Sequence, residues 1–277
     1  MLATSIVVAN SFIIFASDEN RKFYFATLTT TVTSGVAFAI ALLVVYTYKT
    51  KHDQFVPHQF RIREDTMHFS ICTFLGLWFV AQLTWSIFQQ QSPTPSVKDI
   101  LWLIGYGLFG YFLYNLLYNF RKELEVLTVA IISIAVIISL TYIIFIISSV
   151  SSLLVFQKQE PSVTILTIVY PILDAILLMP AVLILWIRRK PVTLEHKSLR
   201  VEQQDNISWI LLSLSMILFA IADSGFAYTT ALNLMTAQKE LWIWDIFYNC
   251  GYILLAGALT GYSTFFGMYK TEAQKLK

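Results

Sequence analysis

The chain has 277 residues, of which 57% are hydrophobic and only 13% charged, where a soluble domain carries about 25% charged residues. Its mean hydropathy is +0.65, and several apolar runs reach the roughly 20 residues that cross a bilayer, which excludes a soluble protein with one large core. A net charge of +2 says little, no nucleic-acid partner is expected, and the information lies in where the charges fall.

Residues 2–17, LATSIVVANSFIIFAS, are apolar with no basic residue before Arg21. They read as an interfacial helix, as an eighth span, or as a signal sequence without the usual basic start and small-residue exit. Seven spans follow at roughly 23–48, 66–90, 97–119, 126–154, 162–187, 207–232 and 241–268. Each is long enough to cross with some tilt. Polar interruptions such as KTKHDQFVPHQFRIRED, QQQSPTPSVK and RRKPVTLEHKSLRVEQQD separate them. The fourth span is apolar all round, TVAIISIAVIISLTYIIFII, which suits a lipid-facing connector. Cys72 and Cys250, the two cysteines, fall inside apolar runs and read as small hydrophobes rather than a disulfide or metal framework.

The basic residues set an orientation. Lys49, Lys51, Arg61 and Arg63 lie between spans 1 and 2, Arg121 and Lys122 between spans 3 and 4, and Arg188, Arg189, Lys190, Lys197 and Arg200 between spans 5 and 6. With Lys270, Lys275 and Lys277 of the tail, 14 of the 19 basic residues share one side. That side is read as cytoplasmic. The N-terminus is then outside and the C-terminus inside a cell membrane.

Spans 3 and 7 carry one pattern at one spacing. Asp99, Trp102, Gly105 and Tyr106 match Asp245, Tyr248, Gly251 and Tyr252, with small residues Gly110 and Ala256 further on. Spans 2 and 6 align more weakly, with Gln82 near Asp223 and Trp85 near Phe226. The expected fold is therefore an all-α polytopic bundle of seven helices, with an eighth if residues 2–17 span. It is organised as three helices, a linker and three helices in a parallel repeat, an arrangement that tends to place a site between the halves. The divisions are 1–22 for the N-terminal segment, 23–119 for the first repeat, 126–154 for the linker, 162–268 for the second repeat and 269–277 for the tail.

Ionisable groups inside a span cost a few kcal/mol even on lenient scales, so each one is a functional candidate. Asp174 falls near mid-depth of span 5 and Asp223 in the outer half of span 6. Asp99 and Asp245 lie near the outer ends of spans 3 and 7, where a helix N-terminus alone would favour an acid. Tyr170, Tyr228, Tyr248, Asn249, Tyr252, Gln82 and Trp85 surround them in the pattern. Together these eleven residues are the expected ligand site, an outward-facing polar pocket for a small ligand, proton or cation. The alternative is that each acid accepts hydrogen bonds from Tyr or Trp and holds helices together.

No mid-membrane lysine is present for a retinal Schiff base, and the four histidines, His52, His58, His68 and His196, are not placed to ligate a haem inside the bundle. There is no HExxH, GxSxG or phosphate-loop motif. No enzymatic activity, cofactor or metal is expected, and His52, Asp53, His58 and His68 read as part of a solvated loop.

Several stretches resemble a known membrane region. They are Tyr170-Pro171-x-x-Asp174-x-x-Leu177-Leu178, Ala222-Asp223, Trp244-Asp245-x-x-Tyr248-x-x-Gly251-Tyr252, and Pro93-x-Pro95-Ser96-x-x-Asp99 followed by Leu103-Ile104-Gly105-Tyr106. Over spans 2 to 7 the chain is similar to the multi-helix input regions that precede GGDEF, EAL and histidine-kinase domains in prokaryotes. The resemblance implies a sensory role with an unidentified small ligand. About nine residues follow span 7, so signalling is expected through a kinase or cyclase partner in trans, with homo-oligomers admitted. The competing expectation is a small-solute transporter built on the same parallel repeat, although spans 1 and 5 lack a PQ-type kink motif.

Overall fold

In a computed structural model of the chain, residues 2–52, 58–88, 96–119, 126–157, 161–188, 199–232 and 242–275 are described. Among them are eight α-helices and no strand: α1 (Leu2–Ile14), α2 (Glu19–His52), α3 (His58–Phe88), α4 (Val97–Asn119), α5 (Val126–Gln157), α6 (Pro161–Arg188), α7 (Leu199–Leu232) and α8 (Trp242–Lys275). Six contain a stretch long and apolar enough to cross a membrane: Asn20–Thr47, Thr66–Phe88, Val97–Tyr118, Val169–Ile187, Ile207–Phe226 and Trp242–Tyr262. This is the pattern of a multi-pass membrane protein.

These six correspond to the expected spans 1, 2, 3, 5, 6 and 7. The expected fourth span lies in α5, whose described apolar stretch, Val126–Ser139, is shorter. Residues 2–17 hold α1, of 13 residues, or roughly 20 Å at 1.5 Å per residue. That is less than the ~30 Å hydrocarbon core. α1 lies against α2 and α8 with Asn10 and Ile13 buried.

The six long helices close a ring in the order α2, α3, α4, α6, α7, α8 and back to α2. α5 packs against α6 and α7. Side chains sort as lipid requires, with apolar groups outward and small or polar groups at the helix contacts. On α2, Leu28, Val32, Val36 and Leu43 are exposed, whereas Thr27, Thr30, Thr31 and Ser34 are buried. The Thr30 hydroxyl donates to the Ala26 carbonyl at 2.9 Å and that of Thr31 to the Thr27 carbonyl at 2.8 Å. A helix can therefore bury hydroxyls without leaving them unsatisfied.

The ring is filled by aromatic side chains. Phe74 of α3 stacks on Phe109 of α4 with centroids 4.3 Å apart. Trp78 packs edge-on against Phe74, Tyr106 and Phe219 at 4.7, 5.2 and 5.5 Å, and its Nε1 donates to the Trp102 carbonyl at 3.2 Å. Gly105 admits that indole: a Cβ there would lie 2.3 Å from Trp78 Nε1.

Candidate functional site

The start of α4 explains one of the four acids. Ser96 precedes the helix, and its backbone amide and hydroxyl both donate to Asp99 Oδ2, at 2.7 and 2.9 Å. The Asp99 amide returns a bond to the Ser96 carbonyl at 3.0 Å. This is a capping-box contact, in which the acid three residues into the helix satisfies an orphan amide at its start. Asp99 Oδ1 is left to accept from the Tyr170 hydroxyl of α6 at 3.3 Å. Ser96→Ala is expected to lower stability by about 1 kcal/mol, and Asp99→Ala by more, since it also strips Tyr170 of its acceptor. Unfolding of both variants in one detergent checks the order, and an equal loss would remove the Asp99–Tyr170 link from the account.

Asp174 and Asp223 do come together. Tyr106 of α4 reaches between α6 and α7, with its hydroxyl 2.7 Å from Asp174 Oδ1 and in close contact with Asp223 Oδ2. Tyr248 of α8 donates to Asp223 Oδ1. Asp174 and Asp223 share the Tyr106 hydroxyl. Four helices are thus tied at one point by two carboxyls and two phenols. Asp174 is only 5% exposed, and its Oδ2 is buried with no hydrogen-bond partner. On α6, Pro171 lies one turn before Asp174 in the helix interior, and proline cannot supply the amide that would close that turn.

Asp245 and Asn249 belong to a different contact. One turn apart on α8, they face α1 and α2. Thr30 donates to Asp245 Oδ1 at 3.4 Å, and Thr33 donates to Asn249 Oδ1 at 3.0 Å. The Asn249 amide donates to Asn10 Oδ1 of α1 at 3.1 Å. Asn10 Nδ2 in turn reaches the Ile6 carbonyl at 3.1 Å and Cys250 Sγ at 3.5 Å. Asn249 is fully buried, and this network docks α1 onto the ring.

The other expected site residues are dispersed. Tyr252 is buried against Phe219 at 4.9 Å and Trp78 at 6.4 Å. Trp85 meets Phe226 at 6.5 Å and carries the Lys98 ammonium over its ring at 4.3 Å. Gln82 is buried on α3, and among the described hydrogen bonds only its backbone carbonyl takes part, accepting from Ser86 at 3.0 Å. The side chain of Tyr228 lies outside the described residues, as do those of His52, Asp53 and His58. His68 is buried beside the Tyr262 ring at 5.5 Å. Among the described residues no group of three His, Cys, Asp or Glu is placed to hold a metal ion.

Tyr106, the hub of the acid cluster, is not among the expected site residues, because a phenol in an apolar run looks like core. Its signal is the shared pattern with Tyr252, which marks the position as fixed in both spans. Asn10, Thr30 and Thr33 are also omitted, since single small polar residues are common in transmembrane helices. Comparison with family models, with curated proteins and with solved structures finds no match to the chain.

Proposed function

We propose that the chain is a membrane sensor whose ligand-binding element is the Asp174–Tyr106–Asp223–Tyr248 cluster, and that it passes its signal to a kinase or cyclase partner. The observation that carries this reading is the cluster itself. One hydroxyl bridges a buried and a half-buried carboxyl on separate helices, so a change in its occupancy alters the contacts of α4, α6, α7 and α8 together. A switch needs such an element, with two arrangements that a ligand can bias. In this reading seven helices cross the membrane, α5 included, with the N-terminus outside and the C-terminus cytoplasmic. The resemblance to input regions supplies the class of partner.

The three–one–three repeat belongs to the same proposal, and independent registers support it. The motif pairs Tyr106 with Tyr252, and at that offset the buried residues Phe109, Phe112 and Leu113 pair with the buried residues Leu255, Ala258 and Leu259. Pairing Gln82 with Asp223 likewise puts buried Leu75, Trp78 and Ala81 opposite buried Met216, Phe219 and Ala222. Thr30 donates to Asp245 as Tyr170 donates to Asp99. That match sets α2 against α6, and buried Ala37, Ala41 and Val44 then pair with buried Leu177, Ala181 and Ile184. Trp78 and Phe219 touch each other, as do Trp85 and Phe226, as paired positions on a shared axis must. The acid cluster occupies one junction of the halves. At the other, Ser34 and Gln82 stand where Asp174 and Asp223 do.

Transport is the second reading, favoured by that junction of half-repeats. Proteoliposomes separate the two. The sensor reading expects the purified chain to leave imposed proton and solute gradients as stable as in empty vesicles. Flux above that background, abolished by Asp174→Asn, would replace the sensor by a transporter.

A further inference from the structure

The geometry points to a proton as the ligand of this site, one exchangeable proton per chain held between Asp174 and Asp223. The inference rests on the reading of the cluster as the ligand-binding element and names what it binds. Hydrogen counting carries it. Tyr106 has one hydroxyl hydrogen and two carboxylate contacts, to Asp174 Oδ1 at 2.7 Å and to Asp223 Oδ2, and it can donate to only one of them. Tyr248 spends its single hydrogen on Asp223 Oδ1. Three oxygen–oxygen contacts thus share two phenolic hydrogens. The third contact is a bond only if a carboxyl supplies the hydrogen.

A second observation identifies the acceptor. Asp174 Oδ2 is buried without a partner, while Asp174 Oδ1 and Asp223 Oδ2 flank the one Tyr106 hydroxyl. With both acids ionised, two carboxylates would meet in a low-dielectric interior with one oxygen bare. Adding a single proton to Asp174 converts that oxygen, or its twin, into a donor toward Asp223 or the Tyr106 oxygen. The step is carboxylate plus H⁺ giving carboxylic acid, with no other bond changed.

Among the described residues no cation competes for the role. The membrane stretches of the four helices, 97–118, 169–187, 207–226 and 242–262, contain no Arg or His and one Lys, Lys98. The amine of Lys98 is turned to Trp85. The titratable groups nearest the pair are Tyr106 from α4, Tyr170 from α6, and Tyr248 and Tyr252 from α8, with Asp99 behind Tyr170 and Asp245 turned to Thr30 of α2, all neutral or anionic. α5, packed on α6 and α7, has no Asp, Glu, Lys, Arg or His from 126 to 157. A proton is the cation the site can take without a coordination shell, since it needs two oxygens rather than the several that a metal ion demands.

Infrared spectroscopy of the full chain in lipid, titrated with pH in sodium-free buffer, reads this directly. The wild type is expected to show the C=O stretch of a protonated carboxylic acid at neutral pH, falling as the pH is raised. Asp174→Asn and Asp223→Asn should each displace or remove it, and the double variant should lack it. Added sodium should leave it unchanged. A wild type with no such band at neutral pH overturns the inference. So does a band that survives the double variant, which would belong to another group such as Asp245, or one that sodium abolishes, which would make the site a metal-cation site. The band together with proton flux in proteoliposomes would leave the proton site standing and remove the sensor. Absence of both would do the reverse.

Discussion

Gly105→Ala is expected to destabilise the protein by about 1–3 kcal/mol, the usual cost of forcing an extra methyl into a packed core. In an exposed helix the same change would stabilise, because alanine is favoured over glycine by about 1 kcal/mol. The sign is reversed by Trp78. The new Cβ would lie 2.3 Å from Nε1 and 2.4 Å from Cδ1 of the indole. The ring cannot swing away, because Nε1 is bonded to the Trp102 carbonyl at 3.2 Å and Phe74, Tyr106 and Phe219 close around it. Gly107 is the internal control. It sits on the same helix with nothing within 4 Å of its virtual Cβ, so Gly107→Ala should be neutral or mildly stabilising. Gly251→Ala, where a Cβ would lie 2.7 Å from Phe219 Cε1, should share the sign of Gly105→Ala with a smaller size. Unfolding of the three variants in one detergent decides the matter, and equal effects of the Gly105 and Gly107 changes would mean the indole is not fixed as described.

That contrast also marks what a single sequence can disclose. Span positions are legible because the membrane imposes a length on every crossing, and six of the seven expected ranges coincide with helices long and apolar enough to span. The close approaches of α3 to α4 and of α7 to α8 are half legible: Gly105 and Gly251 stand out at matching places, but nothing in a string shows that Trp78 and Phe219 fill the space above them. Asp174 and Asp223 are conspicuous as isolated charges, because lipid makes each one expensive. Which carboxyls share a partner is not conspicuous. That depends on helix rotation: Asp245 faces α2 through Thr30, as Asn249 one turn on does through Thr33, rather than the acid cluster. Of the expected site residues, Asp174, Asp223 and Tyr248 therefore form the acid cluster, Asp245 and Asn249 the contact with α1 and α2, Asp99 and Tyr170 the start of α4, and Tyr252 and Trp85 pack on aromatic neighbours.

Tyr106→Phe is expected to be among the most damaging single-atom deletions in the bundle. The change keeps the ring that packs on Trp78 at 5.2 Å and removes only the oxygen. Asp174 then loses the donor on Oδ1, and its Oδ2 has no hydrogen-bond partner to begin with. Asp223 keeps Tyr248 but loses its second phenol. An unsatisfied buried group costs about 1–3 kcal/mol, and more if charged, so a loss at the upper end of that range is expected. Tyr252→Phe is the matched comparison. Tyr252 is as deeply buried and holds its place through its ring against Phe219 and Trp78, and no described hydrogen bond uses its hydroxyl. Its loss should cost far less. Asp174→Asn closes a double-mutant cycle with Tyr106→Phe. Because the two groups touch, the pair should be non-additive by about 0.5–3 kcal/mol, measured as the difference between the double variant and the sum of the singles. Were Tyr106→Phe no worse than Tyr252→Phe, or the cycle additive, Tyr106 would be a core aromatic that merely passes near two acids, and the cluster would lose its hub.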